Sequence, residues 1–381
     1  MEVESLKSCR GILMMTGLIL TGLARQASAI PYSYPGIRYV SPYSHSMGGV
    51  TLPLTNETGN SLFNNPAGLA KNTKFRAEYL NLQFDVNSGV AGDMTQATKM
   101  FNLGTLTDVL NSDINYLYSG GIGNLTAVSW GGFAVGLLIQ DRVRAYSDGT
   151  NVHYETNSLA VPALGYGFSL ARGVVRLGYS LQLVNLASGT TQSTADSGAR
   201  FLSGLSEGRG LAHTASVNFA FPFTYLPTLS LVARNIGGVT YAAGSLLPRA
   251  NNPTGVPPTE EMTVDAAFGM MVRISGQVKS NWYLQYKDIN NRVSVPFLEK
   301  MNLGLDISLS PAVGIRAGMT GNQFSAGLGY RSESSEINLA YYKDPTPFKD
   351  VSYYDTRFAL QYKVLFQDQN SRNREEEGKP R

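Results

Sequence analysis

The side chains that most often carry catalysis are scarce in this 381-residue chain, which has three histidines and one cysteine. A hydrolase needs a Ser–His pair with a third group orienting the base, or a thiolate beside a histidine. His45 stands in a stretch rich in Gly, Pro, Ser and Tyr, His153 near the outer end of a strand pattern, and His213 on the outward parity of Ala215 and Val217. No nucleophile is spaced to meet any of them. Cys9 precedes a small-x-small sequence, so a chain cleaved there keeps no thiol for a disulfide, a metal thiolate or a nucleophile. There is no Gly-Lys-Ser/Thr phosphate loop, and the acidic residues are too dispersed for a metal loop. The expectation is a protein that is not an enzyme and uses no cofactor.

Charge offers a different chemistry. Charged residues make up only 15% of the chain, and the net charge of +3 is scattered with no basic stripe, which sets nucleic acid aside as a partner. Two groups of charges need explaining. Asp141, Arg142 and Arg144 continue an otherwise apolar alternation, and Arg176, Gln182, Arg273, Asp306, Arg316, Arg331 and Lys363 each sit opposite an apolar face.

What positions them is a period of two. Met301, Leu303, Leu305, Ile307 and Leu309 share one face against Asn302, Gly304, Asp306 and Ser308. The same split recurs in Val175 to Leu183, Val264 to Val272, Phe324 to Tyr330 and Phe358 to Phe366. No stretch after the leader approaches the roughly 18 apolar residues of a spanning helix. A soluble sandwich also alternates, so the connections decide. Strand patterns begin near Phe75, Asn124, Gly132, Asn151, Val174, Leu211, Leu229, Met262, Val278, Leu298, Ala312, Gln323, Glu336 and Ser352. Tight turns at Gly131, Arg172, Phe221 to Pro227, Gly276 and Leu309 to Ala312 alternate with long connections at Val90 to Asn115, Ser188 to Gly210, Gly237 to Glu261 and Lys343 to Val351. The exception is the short gap from Met319 to Gln323. Short turns on one side and long loops on the other define an outer-membrane barrel, and the 40 glycines, 21 tyrosines and 16 phenylalanines suit its walls and interfacial girdles.

The expected fold is therefore all-β, a transmembrane antiparallel β-barrel of about 14 strands over residues 75–366. Residues 1–29 read as a signal peptide, with Lys7 and Arg10 before an apolar stretch and Ala27-Ser28-Ala29 at the cleavage site. Residues 367–381 read as a disordered polar tail. Asp93 to Ser112 carries helical spacing in the first outer loop. Alternation from Phe133 points Asp141 at lipid near the outer interface, where a charge costs little, or else marks a wall opening in the third strand. Pro162 coincides with a change of phase, for which a bulge is the simplest account. The second group of charges faces the lumen, pairing from wall to wall.

Residues 30–74 lack either period. Within them Gly48-Gly49-Val50 is followed by Asn60-Ser61-Leu62-Phe63-Asn64-Asn65-Pro66-Ala67-Gly68. This run, placed before the first strand, resembles the start of the outer-membrane long-chain fatty acid and aromatic hydrocarbon transporters of the FadL/TodX type. The resemblance implies a hatch folded into the lumen, with Asn65, Pro66, Ala67 and Gly68 in it, touching the wall near the third strand, and substrates leaving sideways there. It also implies passive transport of hydrophobic or amphipathic small molecules such as fatty acids or other lipids. A plug is physically needed, because eight-stranded barrels fill with side chains while those of about 16 strands leave a water channel. The alternative is a barrel that docks secreted or envelope proteins. Outer-membrane lipid, lipopolysaccharide and the barrel-assembly machinery, addressed by the aromatic-ended segment Tyr362 to Phe366, complete the expected partners at the bacterial outer membrane.

Overall fold

The alternation becomes a wall with two unlike faces. The computed structural model describes residues 36–55, 57–92, 117–148, 151–194, 204–275, 278–293, 295–348 and 351–367. Fourteen antiparallel strands close into a ring. They are β1 (Arg76–Asn87), β2 (Leu117–Trp130), β3 (Phe133–Ser147), β4 (Asn151–Leu170), β5 (Val175–Thr194), β6 (Ser206–Ala220) and β7 (Thr228–Arg234). The second half is β8 (Thr263–Ser275), β9 (Val278–Tyr286), β10 (Met301–Ser308), β11 (Val313–Thr320), β12 (Gln323–Arg331), β13 (Ser335–Phe348) and β14 (Val351–Gln367). Each strand pairs with the next, and β14 returns to β1 with Arg76 opposite Gln367 and Asn87 opposite Arg357. A two-residue strand, Ala242–Ala243, adds to Gly208 and Arg209 of β6 outside this order.

The burial pattern is inside out for a soluble protein. On β14, Phe358, Leu360, Tyr362 and Phe366 are exposed while Gln361 and Lys363 are buried. On β10, Asn302 and Asp306 are buried between half-exposed Leu303, Leu305 and Ile307. Apolar outside and polar inside is what a bilayer selects, since charge on the lipid face costs about 2–4 kcal/mol at the midplane. Every ladder between consecutive wall strands is antiparallel and the last strand closes onto the first, so backbone groups within the ladders find partners without water. Among the described residues no helix is long and apolar enough to cross a membrane.

Most of the expected strand starts fall within three residues of those observed, but β2 and β6 start earlier than expected, at Leu117 and Ser206 instead of Asn124 and Leu211, and the short β11–β12 connection is real. Three readings of the connections change. Residues Lys343 to Val351 are not a loop, since β13 runs to Phe348 and β14 resumes at Val351 as a paired hairpin. Likewise β5 and β6 reach into the expected Ser188 to Gly210 loop, to Thr194 and from Ser206. There is no bulge at Pro162. The β4–β5 register is the same on either side of it, Ala160 opposite Asn185 and Ala163 opposite Gln182, and Leu137 stays opposite Pro162 on β3. The signal peptide, the helical pattern from Asp93 to Ser112 and the tail from residue 368 lie outside the described residues.

Candidate functional site

From residue 36 to the start of β1 the chain lies against the inward faces of the strands. Ser41 caps a short helix α1 (Pro42–His45) by accepting from Ser44 N at 3.1 Å. Beyond it Gly48 and Gly49 take positive φ, 66° and 70°. Gly48 lies so near the wall that a Cβ would stand 2.3 Å from the Met319 carbonyl oxygen. Its N–H donates to Ser325 Oγ at 2.8 Å and its carbonyl accepts from Thr320 Oγ1 at 2.6 Å. Gln285 Oε1 on β9 accepts from Thr51 N and Leu52 N at 2.8 and 3.1 Å.

A second helix, α2 (Thr58–Phe63), has its first amides held by Glu78 of β1, at 2.6 Å from Thr58 N and 3.2 Å from Gly59 N. A 3₁₀ helix, Pro66–Lys71, follows. The asparagines between them tie the segment to itself and to the wall. Asn60 donates to Thr51 O and Leu54 O, both at 2.6 Å, and Asn64 to Tyr39 O at 2.7 Å. Asn65 donates to Leu52 O at 2.6 Å and to Asn218 Oδ1 of β6 at 3.0 Å. Ala67 N donates to Ser216 Oγ at 2.7 Å. A Cβ on Gly178 of β5 would lie 2.1 Å from Ala67 N, and one on Gly68 would lie 2.6 Å from Ser61 Oγ. A Cβ on Gly167 of β4 would lie 2.7 Å from Pro66 O, so Asn65 to Gly68 sit against β4, β5 and β6, and the expected contact of this motif with the third strand is corrected. There, Leu62 makes the approach, to Gly136.

Buried ion pairs fix the rest. Lys363 pairs with Glu57 and, at 3.5 Å, with Glu336. Arg234 pairs with Asp265 at 3.0 Å and reaches Asn64 Oδ1 at 3.2 Å. Asp306 and Arg316 meet at 3.3 Å, with Tyr43 donating to Asp306 at 3.0 Å beneath the guanidinium, which lies 4.0 Å from its ring centre. Arg176, Arg273 and Arg331 lie instead toward the short-turn ends of β5, β8 and β12. His45 stacks on Tyr342 with ring centres 4.0 Å apart, and its Nε2 is buried without a hydrogen-bond partner. Burial, with Arg142 nearby, pushes its pKa down to about 3. His153 meets Asp148 at 2.7 Å and His213 meets the Tyr179 hydroxyl, so neither histidine faces a nucleophile.

Asp141, Arg142 and Arg144 separate by parity. Arg142 and Arg144 turn inward, toward Asp85 at 4.0 Å and toward Asp344 and Glu155 at 3.5 and 3.8 Å. Asp141 points outward but not at lipid. It takes both oxygens' hydrogen bonds from Arg249, at 3.1 and 2.9 Å, and accepts from Ser158. Asp141, Ser158, Ala187 and Glu207 form one rung across β3 to β6. Glu207 accepts from the amides of Arg249 and Ala250 at 2.9 and 3.1 Å, and Asn185 Oδ1 from Leu246 N at 2.8 Å. An external strap from residue 245 to 250 thus covers the outer wall and explains the polar residues on a lipid-facing parity. The third strand is paired along its length on both sides, without a register shift, so the wall is continuous at Asp141 to Arg144.

The sequence did not single out the apolar sector of the lumen. Leu138 of β3, Leu159 and Val161 of β4, Val184 of β5 and Ala212 of β6 face inward and form one buried cluster with Tyr39, Leu62 and Phe63. Across the lumen the inward residues are Gln285, Asn302, Asp306, Asn338 and Gln361. Above the cluster a cavity of about 860 Å³ has Arg142, Arg144, Glu155 and Arg357 on its wall and Leu159 and Leu186 among its lining. The phase change at Pro162 was the available signal. Val161 and Ala163 are apolar inward residues, and the alternation itself never slips.

These features define a closed, filled, outer-membrane type of barrel with a lumen that is apolar on one side. Among solved structures the chain is similar to the CymD monoaromatic hydrocarbon channel, at TM-score 0.50 and 12% identity over 88% of this chain and 100% of that one. The Pseudomonas putida toluene transporter TodX gives 0.45 and 12% over 89% and 99%. The Ralstonia pickettii toluene transporter TbuX gives 0.35 and 10% over 87% and 99%. The likeness to CymD shows the fold, a closed antiparallel barrel of the kind that channel has. No family model and no curated protein matches the sequence.

Proposed function

We propose that the chain is a passive outer-membrane channel for hydrophobic small molecules, with monoaromatic hydrocarbons or fatty acids as its substrates. The observation that carries this reading is the mouth cavity of about 860 Å³ whose lining includes Leu159 and Leu186, leading onto the apolar cluster in a lumen otherwise lined by amides and ion pairs. An apolar molecule leaving water gains about 25 cal/mol per Å² of surface buried against such a patch, and no energy source is needed to move it down a gradient. That CymD, whose fold this chain shares, is a monoaromatic hydrocarbon channel supports this reading.

In this reading residues 36–74, with Asn65 to Gly68 at their centre, act as a hatch. They fill the lumen against water while leaving the apolar sector as the passage. The exposed outer wall meets lipid and lipopolysaccharide, and Phe366 at the end of β14 presents the aromatic ending that the assembly machinery reads. The docking-protein alternative finds less support. The exposed aromatics of the turn Phe221 to Pro227 lie at the same end of the barrel as Trp130 and Phe75, where a girdle is expected.

The test is uptake by cells producing the protein and a Leu186→Asp variant that inserts normally. Protein-dependent uptake of a labelled monoaromatic hydrocarbon or long-chain fatty acid that falls in the variant supports the reading. Uptake no greater than in cells lacking the protein argues for the docking role.

A further inference from the structure

At one place the wall of this barrel is not strand. β7 has only 7 residues. Its ladder with β6 ends at Ala215 opposite Ala233, and its ladder with β8 ends at Arg234 opposite Thr263. Beyond these rungs the chain leaves the wall at Asn235, whose φ is 51°, and turns through Gly237 and Gly238, with φ of 85° and 80°. It then drives Val239 and Tyr241 into the apolar cluster of the lumen. Glycines on β6 admit them: a Cβ on Gly210 would stand 2.6 Å from Val239 Cγ1, and one on Gly208 3.0 Å from Tyr241 Cβ. The excursion rejoins β6 at Ala242–Ala243 and then passes Gly244, another positive-φ glycine at 105°, to become the external strap.

Few bonds hold this stretch to the barrel. Ile236 N donates to His213 O at 3.0 Å, and Val239 exchanges two backbone hydrogen bonds with Glu260, at 2.8 and 3.0 Å. Glu260 is also the catch. Its carboxylate accepts from Arg38 at 2.9 Å, from Gly36 N at 3.2 Å and from Asn235 at 3.0 Å, and it accepts from the Tyr241 hydroxyl. One carboxylate therefore ties the first described residues of the lumen segment to the wall excursion. On the outer surface the stretch is flanked by Leu211 and Ile236, which are 45% and 37% exposed. His213 lies seven residues above the end of β6 at Ala220. At about 3.3 Å per residue and a tilt of about 40° this is about 18 Å up, inside an apolar belt of about 25 Å.

We infer that the passage for an apolar molecule between lumen and bilayer lies here, between β6 and residues 235–243, and not in the unbroken third strand. Withdrawal of Val239 and Tyr241 about the glycine hinges joins the lumenal cluster to the lipid-facing surface at Leu211 and Ile236. The ligand is an uncharged hydrocarbon or an acyl chain, because the side chains that part, Val239 and Tyr241, open onto the apolar cluster on one side and onto Leu211 and Ile236 on the other. The mouth cavity reaches the same place, since Pro258, Thr259 and Glu260 line it together with Leu159 and Leu186. The inference rests on the channel reading of the whole chain.

The test staples the stretch to the wall. Arg209 and Ala242 are opposite residues of an antiparallel rung, so their Cα atoms lie about 4.5–5.5 Å apart, within the reach of a disulfide. In a Cys9→Ser background, Arg209→Cys/Ala242→Cys is compared with a control staple in the third strand, Val135→Cys/Leu164→Cys, which are likewise opposite residues. Uptake of a labelled monoaromatic hydrocarbon is measured oxidised and after reduction. The expected result is loss of uptake in the oxidised Arg209→Cys/Ala242→Cys protein, recovery on reduction, and no effect of the control staple. Unchanged uptake with the disulfide formed, or loss confined to the control, overturns the inference while leaving the channel reading in place. Absence of uptake by the unmodified protein overturns both. A separate variant, Glu260→Gln, releases the catch without a new bond and is expected to speed uptake in an inserted barrel; slower uptake contradicts a gate held by this carboxylate.

Discussion

Asp141 shows how a residue's meaning depends on what covers it. On parity alone it is a carboxylate aimed at lipid, yet its partners are Arg249 and Ser158. Replacing Arg249 with alanine leaves the carboxylate facing the interface and frees the strap. The expected outcome is protease cleavage between residues 244 and 250 in intact cells with the barrel otherwise uncut, read by mass spectrometry of the surface digest. His45 makes a prediction in pH. Its pKa when seated is about 3, held down by burial and by Arg142 and Arg357 against the opposing pull of Asp344 and Asp85. An unseated histidine titrates near about 6.5. Between those values the unseated form takes up a proton that the seated form does not, so seating is full above about 6.5 and weakens as pH falls toward 3. Hydrogen exchange of residues 42–49 is expected to be faster at pH 4.5 than at pH 7, and His45→Phe to remove most of that difference.

At the scale of elements, the strands were legible because lipid enforces the alternation, and they were misread where lipid ends. Lys343 to Val351 carries two prolines and four charged residues and reads as a loop. It is strand because β12 pairs with β13 only as far as Ala326 opposite Tyr341, leaving an edge beyond it on which Pro345 and Pro347 are tolerated. β2 and β6 begin earlier than their patterns, at Leu117 and Ser206, for the same reason: above the bilayer no apolar face is required. The site was less legible. Asn65 to Gly68 stood out as a motif, but its partners Gly178, Ser216 and Asn218 belong to distant strands, which period two cannot pair with a loop. The apolar sector was hidden in the apparent slip at Pro162. These contacts predict that Gly178→Leu, whose added atoms meet the backbone of Pro66 and Ala67, inserts as a barrel but unseats the 3₁₀ helix. Such a variant is expected to show the heat-modifiable gel mobility of a folded barrel together with increased entry of a small polar antibiotic; unchanged entry contradicts the contact's importance.

The whole molecule couples a closed fourteen-strand ring to a lumen whose described inward faces divide into a polar and an apolar half. The ring supplies stability through closed ladders, so changes in the apolar half fall on passage more than on folding. Leu159→Arg places a charge at the floor of the mouth cavity, beside Arg142 and Arg144. The most direct measurement compares uptake of a labelled monoaromatic hydrocarbon and a labelled long-chain fatty acid by cells producing equal, correctly inserted amounts of the unmodified protein and of Leu159→Arg, against cells without either. The account predicts saturable uptake of at least one compound with the unmodified protein and near-background uptake with the variant. Equal uptake by the two proteins, or none above background by either, would contradict a hydrophobic passage through this lumen.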